Sequence, residues 1–390
     1  MMPQLPAHVG QLIVTLKAAG AGAWLVGGAL RDLMLGKTPT DWDIATTFTP
    51  QQLLDLLDGS RLTGGDTGTV RAVMGDEYCE ITPCRVEGLY SDHRHPDEVL
   101  FVPDILADLA RRDFTVNAMA FDGRILIDPF GGQQDLRRRI LRCVGDPAER
   151  FKEDPLRVLR LFRLAAQLGF NASWPTFCAA GAAMDGIAGL PAERVLGEMN
   201  RILMSQGPQV IGPVVAQGGL HSYGFFFAPA LNALAQTPAV LLCRWWALLT
   251  LCGVDFERAG AAFGFSRRFM ADLEECTRLY RLGPAMNKTE LKQKLSHSKL
   301  DYLPVVSTFA AVSPSFVAEP AFFAEVMAKK EPYRLGDLAI NGDILYYEEG
   351  IRGKQCGTVL EELLQVVIKN PKMNRTKVLL GIARGLKQLL

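Results

Sequence analysis

The amino-acid sequence predicts an α+β protein, a mixed-sheet domain followed by a largely helical remainder. Two observations carry that expectation. Up to about residue 140, short apolar runs rich in β-branched residues alternate with glycine turns, as half-buried strands do. Beyond it, apolar residues recur at three- and four-residue spacing, as in Leu156-Arg-Val-Leu-Arg-Leu-Phe-Arg-Leu164. The expected strands are 24–26, 43–45, 69–74, 78–82, 118–121 and 125–127, enough for a central sheet. The helical pattern runs from Gln134 to about Ser205, is punctuated by Pro208, Pro213 and Gly218-Gly219, and resumes over 238–310 and 357–389. No internal repeat or low-complexity segment interrupts it.

Composition narrows the class. With 390 residues, 48% of them hydrophobic, the chain can bury the cores of about two to four domains. Lys+Arg and Asp+Glu balance at 42 each, so a nucleic-acid surface has to come from local clustering. Residues 351–390 supply a cluster, eight Lys/Arg against two Glu, which fits either a solvated helix face or an RNA-backbone contact. The eight cysteines (79, 84, 143, 178, 243, 252, 276, 356) form no Cys-x-x-Cys and have no His at zinc spacing, so they read as buried thiols in a reducing compartment. Residues 1–19 lack the basic start and long apolar core of a signal peptide. The most apolar stretch, 239–254, is too short to span a bilayer and carries Arg244, which predicts a buried helix. A cytoplasmic protein without membrane association is expected.

Three constellations carry chemistry. The first is Trp24-Leu-Val-Gly-Gly-Ala-Leu-Arg-Asp-Leu-Met-Leu-Gly36 followed by Asp41-Trp-Asp-Ile-Ala-Thr46. Carboxylates at i and i+2 of a strand share a face, so Asp41 and Asp43, beside a glycine pair that lets backbone approach a ligand, suit Mg²⁺ and nucleotide phosphates. Alone, such a pair is weak evidence and is more often a solvated turn. The second is Ala110-Arg-Arg-Asp-Phe-Thr-Val-Asn-Ala-Met-Ala120, then Ile127-Asp-Pro-Phe-Gly-Gly132. Here an arginine fork can grip phosphate or ribose oxygens, with Asp113 and Asn117 fixing loop backbone or a ribose hydroxyl; a surface ion pair with a capping aspartate is the plainer alternative. The third is Glu153-Asp-Pro-Leu-Arg157-Val-Leu-Arg160-Leu-Phe-Arg163. Pro155 suits a first helical position and Asp154 an N-cap. Arg157, Arg160 and Arg163 then lie close on one helix surface opposite Leu156, Leu159, Phe162 and Leu164. Taken alone, a capped amphipathic helix with a charged, solvated face is the plainer reading; yet three arginines with almost no intervening acid are expected to need a partner, and a triphosphate would satisfy them.

Together these segments resemble the class II tRNA nucleotidyltransferases, the CCA-adding enzymes, within the wider family that includes bacterial poly(A) polymerases. Residues 25–46 match the family's first motif, Arg111-Arg-Asp-Phe-Thr-Val-Asn-Ala-Met-Ala120 its second, and Glu153-Asp-Pro-Leu-Arg157 its nucleotide-template motif. Glu193-Arg-Val-Leu-Gly-Glu198 is similar to the neck motif, and Leu335-Gly-Asp-Leu-Ala-Ile-Asn-Gly-Asp-Ile344 with Leu360-Glu-Glu-Leu-Leu364 resembles the tail. The resemblance implies a polymerase-β-like nucleotidyltransferase head (1–140), a helical neck with the base template (141–205), a helical body (206–320) and a helical, tRNA-contacting tail (321–390). It implies addition of C, C and A to tRNA 3′ ends from CTP and ATP, with tRNA as partner and no stable protein partner. It implies Asp41 and Asp43 as catalytic Mg²⁺ ligands and Gly28 and Arg31 at the nucleotide phosphates. Arg112 would contact the nucleotide, Asp154 and Arg157 would read the base, and Arg160 and Arg163 would complete the pocket. A third carboxylate is expected near the metal, Glu80 first and Glu77 as its competitor. The chain departs from many relatives in having Thr67-Gly-Thr-Val70 where they have His-Gly-Thr-Val.

The chemistry expected is two-metal attack of a ribose 3′-hydroxyl on the α-phosphate with loss of pyrophosphate. Cytosine and adenine each present an amino donor beside a ring-nitrogen acceptor, which a carboxylate and a guanidinium can read; uracil and guanine reverse that pattern. A polar loop-like segment at 88–99, including His93 and His95, favours full CCA addition over CC addition, since CC-adding relatives lack a flexible loop there. A partial CC- or A-adding enzyme and a poly(A) polymerase are the alternatives. A non-catalytic RNA-binding protein would be favoured by loss of either aspartate, and both are present. A small-molecule nucleotidyltransferase would not need the arginine-rich neck or basic tail.

Overall fold

A computed structural model describes residues 3–64, 67–75, 77–87, 99–227 and 229–388. The chain divides into two compact units, Met1–Phe226 and Phe227–Leu390. The segment 88–98, with His93 and His95, lies outside the described residues.

In the first unit α1 (Ala7–Ala18) buries Val9, Leu12, Ile13 and Leu16, one stripe at helical spacing. There follow β1 (Ala23–Val26), α2 (Gly27–Met34), β2 (Asp43–Thr46), α3 (Pro50–Leu56), β3 (Arg61–Leu62), β4 (Val70–Met74), β5 (Glu77–Pro83), β6 (Arg85–Glu87), β7 (Val99–Phe101), α4 (Ile105–Ala110), a 3-10 turn at Thr115–Asn117, β8 (Ala120–Phe121) and β9 (Leu126–Ile127). Next come α5 (Gly132–Arg138), β10 (Ile140–Leu141), α6 (Pro147–Glu153), α7 (Leu156–Leu168), β11 (Asn171–Ala172), α8 (Trp174–Ala182), α9 (Ala192–Leu203) and α10 (Gly212–Ala216). Seven strands form one sheet in the order β3-β4-β5-β2-β1-β8-β9. β2 and β5 run parallel at its centre while β1, β4, β8 and β9 pair antiparallel with their neighbours, so the sheet is mixed. Val26, Ala45, Ala120 and Cys84 pack with Ile105 and Leu109 of α4 in one core cluster.

Each expected strand lies in this sheet, its ends moved by no more than two residues. The exposed β3 pair was invisible to alternation, because neither of its side chains is buried. The helical reading from Gln134 is corrected. α5 stops at Arg139, whose φ of +55° is left-handed, and Ile140–Leu141 then pairs in parallel with β11 instead of continuing the helix. α7, which carries the arginines of the third constellation, packs against α9.

The second unit holds α11 (Asn232–Gln236), α12 (Leu241–Leu251), α13 (Phe256–Phe263), α14 (Arg267–Arg281), α15 (Lys288–Leu295), α16 (Tyr302–Val312), α17 (Glu319–Ala328), α18 (Gly342–Glu349), α19 (Gly353–Lys369) and α20 (Thr376–Lys387). α12 is the buried helix expected at 239–254, with Trp245 packed edge-on to Phe263 and Trp246 against Phe309, both at 4.9 Å between centroids. The fully buried Glu319 is compensated by Lys294 Nζ at 2.9 Å and Tyr302 Oη–H at 3.0 Å. Leu345, Val359, Leu363, Val367 and Leu379 form the core of α18–α20. The expected run 357–389 is two helices, broken at the Pro371–Met373 turn, since proline cannot continue α19. Lys369, Lys372, Arg375 and Lys377 are exposed around that turn. All eight cysteines are free, and Cys178 is exposed, not buried as the sequence suggested. No helix among the described residues is long and apolar enough to cross a membrane.

Candidate active site

The acidic pair sits where β2 begins. Asp41 is an exposed bend residue just before the strand and Asp43 is the strand's first residue, so they are not two members of one strand as expected. Alternation still holds across them: Trp42 between them is 6% exposed, and its carbonyl accepts the Glu80 N–H at 2.8 Å, extending the β2–β5 ladder by one residue. Asp43 lies in register with Glu80, and Glu80 in turn with Arg71 of β4. Glu77 is opposite Met74 at the other end of β5. Of the two candidates for a third carboxylate, Glu80 is therefore the one brought beside Asp43. Burial raises the Asp43 carboxyl above its ordinary value; Arg112 opposes this, while the negative charges of Glu80 and Asp41 add to it.

Gly27 closes the other side of Asp43. Its φ is +67°, and an added Cβ would lie 3.1 Å from Arg112 Nη1 and 3.4 Å from Asp43 Oδ2. Only glycine takes that backbone conformation readily and leaves that space open. Sequence reasoning nominated Gly28 instead, where an added Cβ would meet Arg31 Nη2 at an ordinary 3.5 Å. Arg31, 9% exposed, donates to Asp32 Oδ1 and Asn117 Oδ1, both at 2.8 Å.

The Arg111-Arg112 fork has a partner that neither sequence reading gave it, Asp108 of α4, 1% exposed. Arg111 Nε donates to Oδ1 at 2.9 Å and Arg112 Nη2 to Oδ2 at 2.9 Å. Burial alone would raise the Asp108 carboxyl; Arg112 and Arg111, by charge and hydrogen bonds, bring it below the ordinary value. The spacings i+3 and i+4 on a helix were the signal that could have found it. Asp128 caps α5 by accepting the Gly132 N–H at 2.7 Å, and a Cβ at Gly132 would collide with the Thr115 carbonyl, so this second glycine segment seats α5 on the turn that carries Asn117.

The third constellation is corrected in one respect. Its arginines are not left waiting for a triphosphate. Arg157 pairs with Glu153 and donates to the Arg150 carbonyl at 3.0 Å. Arg160 Nη2 lies 2.7 Å from Asp113 Oδ2, and Arg163 Nε lies 2.8 Å from Glu198 Oε2. Asp154 accepts the Leu156 N–H at 3.0 Å on Oδ1 and Arg194 Nη2 at 3.0 Å on Oδ2. The helix starts at Leu156, one residue later than expected, so Pro155 and not Asp154 is its N-cap; Asp154, one position further out, still accepts the first helical N–H. Leu156, Leu159, Phe162 and Leu164 are buried as anticipated. The segment 193–198 acquires a physical role here: Arg194 holds Asp154, and Glu198 joins Arg163 to Arg201. The Arg194–Asp154 and Glu198–Arg163 contacts tie α9 to α7 and to the residues just before it, and have no local sequence signature.

Among the described residues, no three acidic, histidine or cysteine side chains are gathered tightly enough to hold a metal ion. The donor chemistry nevertheless fits a hard divalent cation. Asp41, Asp43 and Glu80 offer only oxygen, and their mutual repulsion, visible at Asp43, is what such a cation relieves.

This sheet and its acidic edge are those of a polymerase-β-like nucleotidyltransferase head, and residues 23–142 match the family described as the Poly A polymerase head domain. The remainder carries the likeness further. The chain is 31% identical over 395 aligned residues to the CCA-adding enzyme of Bacillus pumilus, covering 95% of each. It is 39% identical over 251 residues to that of Geobacillus kaustophilus, covering 64% of this chain and 61% of the relative. Against the Geobacillus thermodenitrificans enzyme the identity is 39% over 224 residues, 57% of this chain and 55% of the relative. In those Geobacillus alignments the chain thus spans between about half and three-fifths of the relatives' length. The crystal structure of the Bacillus stearothermophilus CCA-adding enzyme in complex with CTP superposes with a TM-score of 0.77 at 27% identity, over 99% of this chain and 100% of that one. A Thermotoga maritima CCA-adding enzyme complexed with tRNA shares the fold, at a TM-score of 0.70 and 20% identity, over 97% of this chain and 94% of that one. The chain belongs to the family of CCA-adding enzymes. The resemblance and the fold class read from the sequence are both borne out.

Proposed function

We propose that this chain adds C, C and A to tRNA 3′ ends from CTP and ATP, without a nucleic-acid template and with release of pyrophosphate. The observation that carries the reading is the acidic row, Asp43 in register with Glu80 and flanked by Asp41, facing the left-handed Gly27 and Arg112. The names of the relatives, and the CTP and tRNA complexes of the solved enzymes, support the substrates.

Asp41 and Asp43, with Glu80 as third carboxylate, would hold Mg²⁺, which when bound activates the ribose 3′-hydroxyl and neutralises the departing pyrophosphate. Arg112 keeps one guanidinium edge on Asp108 and turns Nη1 toward Gly27, a fixed positive edge beside the row. Gly28, in the first turn of α2, and Arg31, one turn further along it, face the triphosphate in this reading. Asp154 and Arg157 read the base. Each Asp154 oxygen already accepts one hydrogen bond and retains a lone pair, so a fixed carboxylate can accept from the amino group of cytosine or adenine. Arg157, held by Glu153, faces the ring nitrogen, while Arg160 and Arg163 brace the pocket through Asp113 and Glu198. Uracil and guanine would set oxygen against carboxylate and N–H against guanidinium, leaving buried groups unpaired. Residues 1–140 serve as head, 141–205 as neck, 206–320 as body and 321–390 as tail, with the exposed cations at 369–377 lying along the RNA backbone. The enzyme acts in the cytoplasm, in keeping with its free cysteines.

Incubating the purified chain with tRNA lacking its 3′ end, Mg²⁺ and each labelled nucleotide tests the reading. Two cytidines followed by one adenosine are expected, with no uridine or guanosine. Cytidines alone indicate a CC-adding enzyme, and a long adenosine run a poly(A) polymerase.

A further inference from the structure

Three adjacent strands bring Arg71, Glu80 and Asp43 to one level of the sheet, Arg71 opposite Glu80 and Glu80 opposite Asp43. Arg71 Nη2 lies 2.7 Å from Glu80 Oε1. Its guanidinium also stands 4.6 Å from the Tyr78 ring centroid, and the Asp41 charge acts on it as well. Its Nε is buried without a hydrogen-bond partner among the described residues. The other arginine at the row, Arg112, is committed to Asp108 by two nitrogens. Arg71 is thus the cation whose ion pair is with the row itself.

We propose that Arg71 is a resident counter-ion of the acidic row, a positioning residue that holds Glu80 until a divalent cation takes it and so sets the affinity for that cation. The inference rests on the reading of Asp41, Asp43 and Glu80 as the metal-facing carboxylates. Two magnitudes support it. Both partners of the Arg71–Glu80 pair are 32% exposed, and a half-exposed ion pair is weak enough for a doubly charged ion to displace. A guanidinium on Glu80 also subtracts one positive charge's worth of attraction from the row whether or not the metal uses the same oxygen, so charge and geometry act with the same sign. Tyr78 gives the displaced guanidinium an aromatic face on which to stay.

The test is a titration of the full chain with Mn²⁺ alone, free Mn²⁺ being read by electron paramagnetic resonance. Arg71→Met keeps the stem over Tyr78 and removes the charge; it should bind Mn²⁺ roughly three- to tenfold more tightly than the parent chain. Arg71→Gln serves as a second neutral variant should Arg71→Met fail to fold. Arg71→Lys should stay near the parent value, since it keeps the charge. A purely structural role for Arg71 predicts the opposite sign, because loosening the row weakens metal binding. Unchanged or weaker binding in the neutral variants overturns the proposal. Glu80→Gln separates the two levels of the argument. If it weakens Mn²⁺ binding while neutral Arg71 variants leave it unchanged, the counter-ion role alone fails. If Glu80→Gln binds as the parent does, Glu80 is no ligand and the reading beneath the proposal fails with it.

Discussion

Two groups of carboxylates in the first unit face opposite electrostatic fates. Along β2 and β5, Asp41, Asp43 and Glu80 crowd one another, and the Asp43 carboxyl is raised above its ordinary value by burial and by its neighbours. In α4 and in the turn that follows it, Asp108 and Asp113 are more deeply buried, yet both are lowered. For each, burial pushes up, and the arginines, Arg112 and Arg111 at Asp108 and Arg160 at Asp113, bring it below the ordinary value. Burial by itself therefore does not separate the carboxylates proposed to hold metal from those that fix structure; partnership does. Where acids are left short of cations the protein holds charge in reserve for a ligand, and where every acid has its arginine the protein is fixing geometry.

The comparison breaks or sharpens under substitution. Asp43→Asn should reduce CTP incorporation by roughly 10³-fold or more while leaving the metal-free fold as stable as before or more so, because it deletes a crowded charge. Turnover and thermal midpoint measured together check this, and a variant that is both active and less stable would merge the two groups. Asp108→Asn should do the reverse, costing about 2–4 kcal/mol of stability as two arginines lose a buried partner. Its pH dependence has a definite sign. The Asp108 carboxyl is lowered in the folded protein, so its contribution is present above the ordinary aspartate value and is lost as pH falls toward the folded one. The stability gap between parent and variant should accordingly narrow in acid, as denaturant titrations at neutral and acidic pH would record.

Asp154→Asn has only one oxygen for two donors, Leu156 N–H and Arg194. Its amide can offer the base a donor as well as an acceptor, so discrimination against UTP and GTP should drop by on the order of tenfold in competition assays while metal dependence is unchanged. The smallest effects separate the two glycines. Gly27→Ala should lose about 1–2 kcal/mol through its left-handed backbone and its approach to Arg112. Gly28→Ala, helical and uncrowded, should hold stability and raise the KM for CTP if phosphate approaches there.

Much of the fold was legible because β1, β2, β4 and β5 carry apolar, β-branched runs between glycine turns, and α7 and α12 carry clear helical stripes. The site was legible in part. Asp43 and the arginines announced themselves by type and spacing, and Asp108 was within reach of the same helical rule that placed Arg111 and Arg112. Glu198 and Arg194 were not, since their contacts with Arg163 and Asp154 exist only once α9 packs on α7. Nor does a Gly-Gly pair say which member takes the positive φ; that is fixed where β1 hands over to α2 at Gly27.

Arg194 reaches Asp154 from forty residues along the chain, whereas the acidic row is built into neighbouring strands of one sheet. On the proposed reading, accuracy and speed are stored in different parts of the architecture, one in helix docking and the other in a strand ladder. Warming should loosen the docked helix before it opens the ladder. The enzyme should then grow careless before it grows slow, the ratio of UTP to CTP incorporation climbing at temperatures where total incorporation is still undiminished.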